Sequence, residues 1–348
     1  MVYALVGDSN LFTGRASGTL KLALALAVVV IFSAVLIKIG TQILQTVRKK
    51  TLNKMNKEKR VKLKTSTEIG SIAALVGEEK AVEMVAKAGF DAWDFSMFRM
   101  KRFENDNRPG REEHPLNQQN YLKFVRRLKQ IGLDHGIVCN QSHAPFPVTH
   151  PECLDGMKRA IECTAEAGGN ICIIHPDNDK SAEQNAEMYA ALLPFAKEHG
   201  VRIAAENMWL WDKVQDQAMF AACATPEDFN AHLDAVNDDC FVACLDIGHA
   251  EMRGSGTSAV EMIHALGHRL QALHIHDNDK WHDSHQIPFS MQIDFEAVVK
   301  ALKDIHYQGY FTLEADRYLS AYDASTAFEG VKKLAESAKR LVRMYEGK

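Results

Sequence analysis

Histidines and carboxylates recur in this sequence at the points where short apolar runs end. Six such ends read NQSHAPF, CIIHPDN, IAAENMW, CLDIGHAEM, LHIHDND and FTLEAD. In chain order they carry His143, His175, Glu206, Asp246 with His249, His276 and Glu314. One carboxylate at the end of a strand often does no more than cap the next helix, but capping does not account for six ends. Because buried charges are costly unless they are compensated, we expect these side chains to converge on a divalent cation.

The residue types indicate which ion would bind. Three carboxylates and one imidazole form an oxygen-rich set of predicted ligands: Glu206, Asp246, His276 and Glu314. Such a set suits Mn²⁺, Mg²⁺ or Co²⁺ better than Zn²⁺. We therefore predict one bound divalent metal ion. The other polar residues near these ends are predicted to line a substrate pocket or to hold further metals: His143, His175, His249, Asp283 and His285.

Eight strand–helix pairs are predicted to position these residues. The predicted strands are 62–66, 92–96, 137–141, 171–175, 202–206, 241–246, 272–276 and 310–314, with amphipathic helical stretches between them. Eight such pairs predict an α/β fold, the (β/α)8 TIM barrel, whose active site lies at the carboxyl ends of the strands. A doubly wound open sheet is the runner-up. It would need fewer strands and a glycine-rich first turn, and no GxGxxG follows the first predicted strand.

The motifs AENMW, DIGH, HIHDND and LEAD resemble those of the xylose isomerase-like barrels. This family holds sugar (phosphate) isomerases and epimerases together with AP endonucleases, and the resemblance covers about residues 61–345. It implies a metal held by Glu206, Asp246, His276 and Glu314. In the ketose epimerases of the family, the two metal-bound glutamates also act as base and acid on opposite sides of the substrate carbon. The resemblance gives those roles to Glu206 and Glu314.

We therefore predict a divalent-metal-dependent isomerase or epimerase of a keto-sugar. Removing a proton α to a carbonyl needs a positioned carboxylate, and the enediolate that forms needs a nearby cation. The predicted substrate contacts are His143, His175, His249, His285, Asp283 and Trp209, the last as an apolar face for the sugar ring. No paired Arg/Lys cradle is evident at a strand end, which favours an unphosphorylated sugar. Barrels of this family often pair, so the prediction includes a homo-oligomer.

One position departs from the resemblance. Epimerases of the tagatose type place an arginine six residues after the position that matches His276, and here that position is His282. The identity of the ketose is therefore open.

Phosphodiester hydrolysis is an alternative, because the AP endonucleases of the superfamily bind three zinc ions. The sequence carries candidates for that longer ligand set: His143, His175, Glu206, Asp246, His249, His276, Asp283, His285 and Glu314. The charge balance argues against it. DNA binding depends on Lys and Arg contacts to phosphates, whereas residues 61–348 hold 31 Lys+Arg and 43 Asp+Glu. We therefore expect no nucleic-acid partner, and we interpret the segment 101–115 as a solvated lid or an oligomer contact.

Two further alternatives use the same barrel. A keto-sugar or inosose dehydratase or lyase would begin with the same proton abstraction and then lose a β-leaving group, and sequence patterning does not separate these outcomes. A binding or scaffold protein would keep the pocket without the chemistry. All four predicted ligands are present, which makes the non-enzymatic interpretation the weaker one.

The first 60 residues differ from the rest in charge, with 10 Lys+Arg against 2 Asp+Glu. Within this N-terminal segment, residues 20–44 are predicted to form an apolar helix that spans a bilayer if Lys21 and Lys38 extend toward the interfaces. A basic linker follows, which would place the barrel, residues 61–348, on the cytoplasmic side. In the alternative, the protein starts at Met55 and residues 1–54 are an upstream extension. The barrel would then be a cytoplasmic protein without an anchor.

The overall composition excludes several classes of protein. The chain has 348 residues, of which 46% are hydrophobic and 25% are charged, and these proportions are typical of a folded globular protein. They exclude disordered, collagen-like and small disulfide-stapled chains. The seven cysteines include no CxxC and several lie in apolar runs. We predict that they are buried, reduced thiols without a catalytic role.

Overall fold

The computed structural model contains a ring of eight parallel strands surrounded by helices. The structure describes residues 25–46 except 34, 37 and 43–44, and residues 63–348 except 99, 101–113 and 150–152. Leu63–Lys348 forms one compact unit, and the described residues before it belong to a separate one. The segment 101–115, interpreted above as a lid or oligomer contact, lies almost wholly outside the described residues.

Ten strands are described, and eight of them form the barrel. The strands are β1 (Lys64–Thr67), β2 (Ala92–Ser96), β3 (Val138–His143), β4 (Ile171–Ile173), β5 (Arg202–Glu206), β6 (Leu210–Asp212), β7 (Gln217–Met219), β8 (Phe241–Asp246), β9 (Leu270–His274) and β10 (Tyr310–Leu313). β2, β3, β4, β5, β8 and β9 pair in that order, and β1 pairs with β10. Isolated bridges from Glu68 to Asp94 and from Ile275 to Leu313 join these two sheets at both edges. The predicted (β/α)8 barrel is thereby confirmed, with β6 and β7 as an added antiparallel hairpin.

The helices follow the strands and cover the outside of the ring. They are α1 (Gly70–Val76), α2 (Glu78–Ala88), α3 (Tyr121–Asp134), α4 (Cys153–Ala167), α5 (Ala182–Glu198), α6 (Pro226–Val236), α7 (Ile247–Glu251), α8 (Ala259–Leu266), α9 (Phe295–Asp304) and α10 (Ala327–Glu346). The long α10 shows why the sequence forms them. It buries Val331, Leu334, Ala338 and Leu341 at helical spacing against the strands, while its charged residues remain on the outer face.

The interior of the barrel is filled by side chains of two kinds. On one side lies a small apolar cluster from β4, β5, β8 and β9: Ile171, Ile173, Ala204, Val242, Cys244 and Ala272. On the other side lies a buried polar network in which Ser66 Oγ donates to Asn140 Oδ1 at 2.6 Å and Gln141 Nε2 donates to Asp94 Oδ2 at 2.9 Å. The polar side leads to the carboxyl ends of the strands.

One strand ends earlier than its pattern predicts. The seventh barrel strand, β9, covers Leu270–His274 and not 272–276. Ala272, His274 and His276 have the same parity and so point to the same face of the strand path. Two residues of extended chain correspond to about 7 Å, so the two histidines lie at different depths in the barrel mouth.

Part of the predicted membrane helix is described. Ala25–Gln42 is a helix with a mean hydropathy of 2.0, which is long and apolar enough to cross a membrane by length and composition. The remainder of the predicted span, residues 20–24 and 43–44, lies outside the described residues, as does the basic linker. All seven cysteines are free, and all except Cys240 are buried.

Candidate metal centre

Four side chains from four strand ends converge on one buried centre, which we term the first ligand group. Its members are Glu206 on β5, Asp246 on β8, His274 on β9 and Glu314 directly after β10, and their ligand atoms all lie within 4.8 Å of one another. His274 Nδ1 lies 3.0 Å from Glu206 Oε1 and 3.2 Å from Glu314 Oε2. The most exposed member, Glu314, has only 8% of its surface accessible. Three acidic groups are therefore held together almost without water.

Two of these carboxylates have a buried oxygen that receives no hydrogen bond within the described part of the chain. Glu206 Oε2 and Asp246 Oδ2 are buried and have no hydrogen-bond partner among the described residues. An unpaired buried carboxylate oxygen carries a large desolvation cost, and polar groups of this kind normally have a partner. A divalent cation between the four ligand atoms would provide it. The donor set, three carboxylates and one imidazole, fits such an ion.

A second ligand group lies beside the first. It consists of His249, His276, Asp283 and His285. Asp283 Oδ2 lies 3.0 Å from His285 Nε2, and Asp283 Oδ1 lies 3.5 Å from His276 Nε2. Asp283 Oδ1 and His276 Nε2 are again buried without a hydrogen-bond partner among the described residues.

A third ligand group shares Glu206 with the first. His143 Nε2 and His175 Nε2 are 2.9 Å apart, and Glu206 Oε2 lies 3.5 Å from His143 Nε2 and 3.4 Å from His175 Nε2. The carboxylate of Glu206 therefore faces two groups of potential ligands with its two oxygens.

Both histidines of the HIH sequence lie beside these carboxylates. His274, which was not among the predicted residues, is grouped with Glu206, Asp246 and Glu314, and the sheet register pairs it with Asp246 on the neighbouring strand. The predicted ligand His276 is grouped with the second set, and its Nε2 lies 3.0 Å from Asp246 Oδ1. His282, where the resemblance expects an arginine, is exposed, and its Nδ1 lies 2.9 Å from Asp279 Oδ2.

Backbone carbonyls set the tautomers of three histidines that lie outside the first ligand group. The Nδ1 atoms of His143, His249 and His285 lie 2.7–2.8 Å from the carbonyl oxygens of Ala144, Asn207 and Glu314. A carbonyl only accepts, so Nδ1–H must donate in each case, and in the neutral ring the lone pair is on Nε2. All three Nε2 atoms face carboxylates of the ligand groups, His143 facing Glu206 and the other two facing Asp283. This is the orientation that metal-binding histidines require.

The local backbone holds Asp246 and His276 in place. Asp246 caps α7 by accepting from His249 N at 2.8 Å, and its own N donates to Asn207 Oδ1 at 2.7 Å. Gly248 follows at the first turn of α7, and a Cβ built on it would lie 1.9 Å from His276 Cε1. The DIGH motif therefore uses its glycine to let the imidazole of His276 approach the helix backbone.

The two glutamates of the first group have opposite pKa shifts. Burial works to raise the pKa of Glu206, but the facing imidazoles, His274 foremost, hold it well below its usual value. Burial raises the pKa of Glu314 to about 8, against the opposing effect of the His274 imidazole and with a contribution from the Glu206 charge. In the third ligand group, burial lowers the pKa of His175 to about 4.

Aromatic rings border the three groups. Phe146 stacks on the imidazole of His175 with ring centroids 4.8 Å apart, and Trp209 meets His249 edge-on at 6.3 Å. Trp209 is therefore beside the second ligand group, as a substrate contact would be. Trp93, by contrast, is fully buried and packs on Phe95.

Comparisons with known proteins agree with this architecture. The family described as xylose isomerase-like TIM barrel matches residues 82–343. A D-tagatose 3-epimerase-like protein superposes with a TM-score of 0.58, covering 80% of this chain and 99% of its own at 20% identity. The D-allulose 3-epimerase of Methylomonas sp., solved in complex with D-allulose, has a TM-score of 0.58 and covers 80% of this chain and 97% of its own at 16% identity.

A sequence relative extends the match to an archaeal protein. An uncharacterized protein of Methanocaldococcus jannaschii is 24% identical over 252 residues, which are 67% of this chain and 78% of that protein. At identities below 25%, the similarities to solved structures show the fold alone. What this chain does has to be argued from its own side chains.

Proposed function

Because the chain belongs to the xylose isomerase-like TIM-barrel family, we propose that it is a divalent-metal-dependent isomerase or epimerase of a keto-sugar. The observation that carries the proposal is the placement of Glu206 and Glu314 in one buried group, with carboxylate oxygens 3.0 and 3.2 Å from His274 Nδ1. Two carboxylates in one small buried site, with a metal-ligand set between them, suit proton abstraction next to a carbonyl.

Glu206 and Glu314 are the proposed base and acid. In the absence of an ion, their surroundings push the two pKa values in opposite directions, that of Glu206 down and that of Glu314 up. Two carboxylates with different proton affinities can take a proton from one side of a carbon and deliver one from the other. A divalent ion held by Glu206, Asp246 and Glu314, with His276 as predicted or the neighbouring His274 as the imidazole ligand, would supply positive charge for the oxyanion that develops on the substrate.

We propose that the substrate contacts predicted from the sequence bind the sugar, because their side chains lie beside the ligand groups. His143 and His175 present imidazole nitrogens beside Glu206, and His249 and His285 do so beside Asp283. Trp209 offers an aromatic face next to His249. Hydroxyl-binding groups together with an aromatic surface suit a sugar. The similar D-allulose 3-epimerase binds D-allulose, which makes unphosphorylated ketoses the first substrates to test.

The proposal is tested by incubating the full chain with D-tagatose or D-allulose in the presence of Mn²⁺ or Co²⁺ and following the products by chromatography. We expect a stereoisomer to form, to disappear on addition of EDTA and to return when the metal is restored. A product that has lost water would instead identify the dehydratase alternative. A metal-loaded chain that leaves a broad panel of free and phosphorylated keto-sugars unchanged would contradict the proposal.

A second candidate, phosphodiester hydrolysis at abasic DNA sites, is favoured by one specific observation. The three ligand groups adjoin each other, since Glu206 belongs to two of them and Asp246 contacts the second at His276. The resemblance to AP endonucleases implies three zinc ions on such a set. The acidic charge balance of residues 61–348 argues against it. One bound ion per chain and no incision of an abasic duplex would favour the sugar enzyme, whereas three ions with metal-dependent incision would replace it.

A further inference from the structure

Asn207 directly follows Glu206 at the end of β5, and only 1% of its surface is exposed. Its side-chain amide pairs with the backbone of Asp246, the last residue of the neighbouring strand β8. Asn207 Nδ2 donates to Asp246 O at 2.9 Å, and Asp246 N donates to Asn207 Oδ1 at 2.7 Å. One side chain therefore satisfies both backbone polar groups of this aspartate.

This pairing continues the sheet past the point where its backbone ladder stops. The register of β5 and β8 ends with Glu206 opposite Cys244. Asp246 lies two residues further along β8, where β5 has already ended. On its other side, Asp246 is in register with His274 of β9. The amide of Asn207 therefore takes the place of a paired strand and fixes the backbone that carries the Asp246 carboxylate.

Asn207 also holds a second residue of the DIGH motif. Its carbonyl oxygen accepts from His249 Nδ1 at 2.8 Å, and His249 N donates to Asp246 Oδ1 at 2.8 Å. With Oδ1 engaged in this way, Asp246 Oδ2 is the buried oxygen that has no hydrogen-bond partner within the described part of the chain. Carboxylate ligands of metal ions are normally held by such hydrogen bonds from neighbouring residues.

We propose that Asn207 is a positioning residue for the metal centre, which holds Asp246 so that its carboxylate is ready to bind the ion. The inference rests on the proposed function in one respect, namely that Asp246 belongs to a site for a divalent cation. It does not depend on which histidine supplies the imidazole. Nothing in it requires Asn207 to touch substrate or metal.

Asn185 on α5 offers a matched control, because it makes the same pair of bonds at another place. It is fully buried, its Oδ1 accepts from Asp177 N at 2.8 Å, and its Nδ2 donates to Asp177 O at 3.1 Å. Neither Asn185 nor Asp177 belongs to the three ligand groups. Asn185→Ala therefore removes a buried amide from the backbone of an aspartate that is not a predicted ligand.

The test measures the affinity of the full chain for Mn²⁺ and Co²⁺ by competition with a chromophoric chelator. We expect Asn207→Ala to bind about 10–100-fold more weakly than the unsubstituted chain, the usual effect of removing a residue that orients a metal ligand. Asn185→Ala should bind with the affinity of the unsubstituted chain. The visible absorption of bound Co²⁺ should change in Asn207→Ala alone, because it reports the arrangement of the ligands. The metal-free unfolding temperature of each variant separates loss of folding from loss of binding.

A folded Asn207→Ala variant that binds both ions with unchanged affinity overturns the inference, as does an Asn185→Ala variant that binds as weakly as Asn207→Ala. If Asn207→Ala does not fold, Asn207→Ser replaces it, since the shorter hydroxyl satisfies at most one of the two backbone groups of Asp246. Unchanged affinity in that variant overturns the inference equally. If the unsubstituted chain binds neither ion, the proposed function itself fails, and that outcome differs from the others.

Discussion

Asp246 Oδ1 lies 3.0 Å from His276 Nε2, so an aspartate of the first ligand group is also in contact with the second. The two histidines of the HIH sequence belong to different groups. His274 contacts Glu206 of the first group, whereas His276 contacts Asp283 of the second group as well as Asp246. At this distance the charge of Asp246 acts on the residues of both groups, so the two groups are coupled electrostatically. The assignment of each histidine is accessible to mutagenesis.

We expect His274→Asn and His276→Asn to affect metal binding differently. His274→Asn removes the imidazole of the first group and should weaken binding of the tightest divalent ion at least 100-fold. His276→Asn leaves the four ligands of the first group intact and should change that affinity by less than about tenfold, the scale of an outer-shell effect. Equilibrium dialysis with metal analysis measures both. The reverse order of the two variants would return His276 to the role predicted from the sequence.

Gly248→Ala should disturb the second ligand group through packing alone. The added Cβ would meet the His276 ring at 1.9 Å, and overpacking of this kind costs about 1–3 kcal/mol. Chemical denaturation measures the change in the free energy of unfolding. Gly256→Ala is the comparison, since nothing lies within 4 Å of its Cβ and only the strain of its φ of +77° is added, about 1 kcal/mol. An equal loss in the free energy of unfolding in the two variants would show that the His276 ring moves aside without an energetic cost.

The buried cysteines should be unreactive in the folded chain. Burial raises the pKa of Cys172 to about 11 and that of Cys244 to about 12. Since the thiolate is the reactive form, a raised pKa means that almost none is present at pH 8, and its fraction grows only as the pH rises toward those values. A thiol reagent at pH 8 should label at most the partly exposed Cys240 quickly, and all seven after unfolding. Rapid labelling of several thiols in the native chain would contradict this packing.

The apolar N-terminal segment should decide where the chain is found in cells. We propose that residues 20–44 anchor the barrel, and we expect the full-length chain in the membrane fraction after alkaline carbonate extraction. A variant that starts at Met55 should be recovered in the soluble fraction with the same metal affinity, because the barrel begins at Leu63. Recovery of both forms in the soluble fraction would remove the proposed anchor.

Most of the barrel was predictable because it repeats. Eight apolar runs, six of which end on a histidine or a carboxylate, predict both the strands and the edge at which Glu206, Asp246 and Glu314 meet. The grouping of His274 with these carboxylates was not predictable, since the pattern LQALHIH continues its alternation past His274 and does not mark where β9 ends. Asn207 was missed for a related reason. AENMW marks only its glutamate, and only the fold shows that the next side chain pairs with the backbone of Asp246.

The central claim is that Glu206 and Glu314 exchange a proton on the substrate. The most direct measurement is the incorporation of solvent deuterium at the α-carbon of a bound ketose, followed by NMR in D₂O with the metal-loaded chain. We expect the unsubstituted chain to incorporate deuterium, and Glu206→Gln and Glu314→Gln to lower the rate by at least about 100-fold while keeping the fold. Exchange at the unsubstituted rate in both variants would contradict the account.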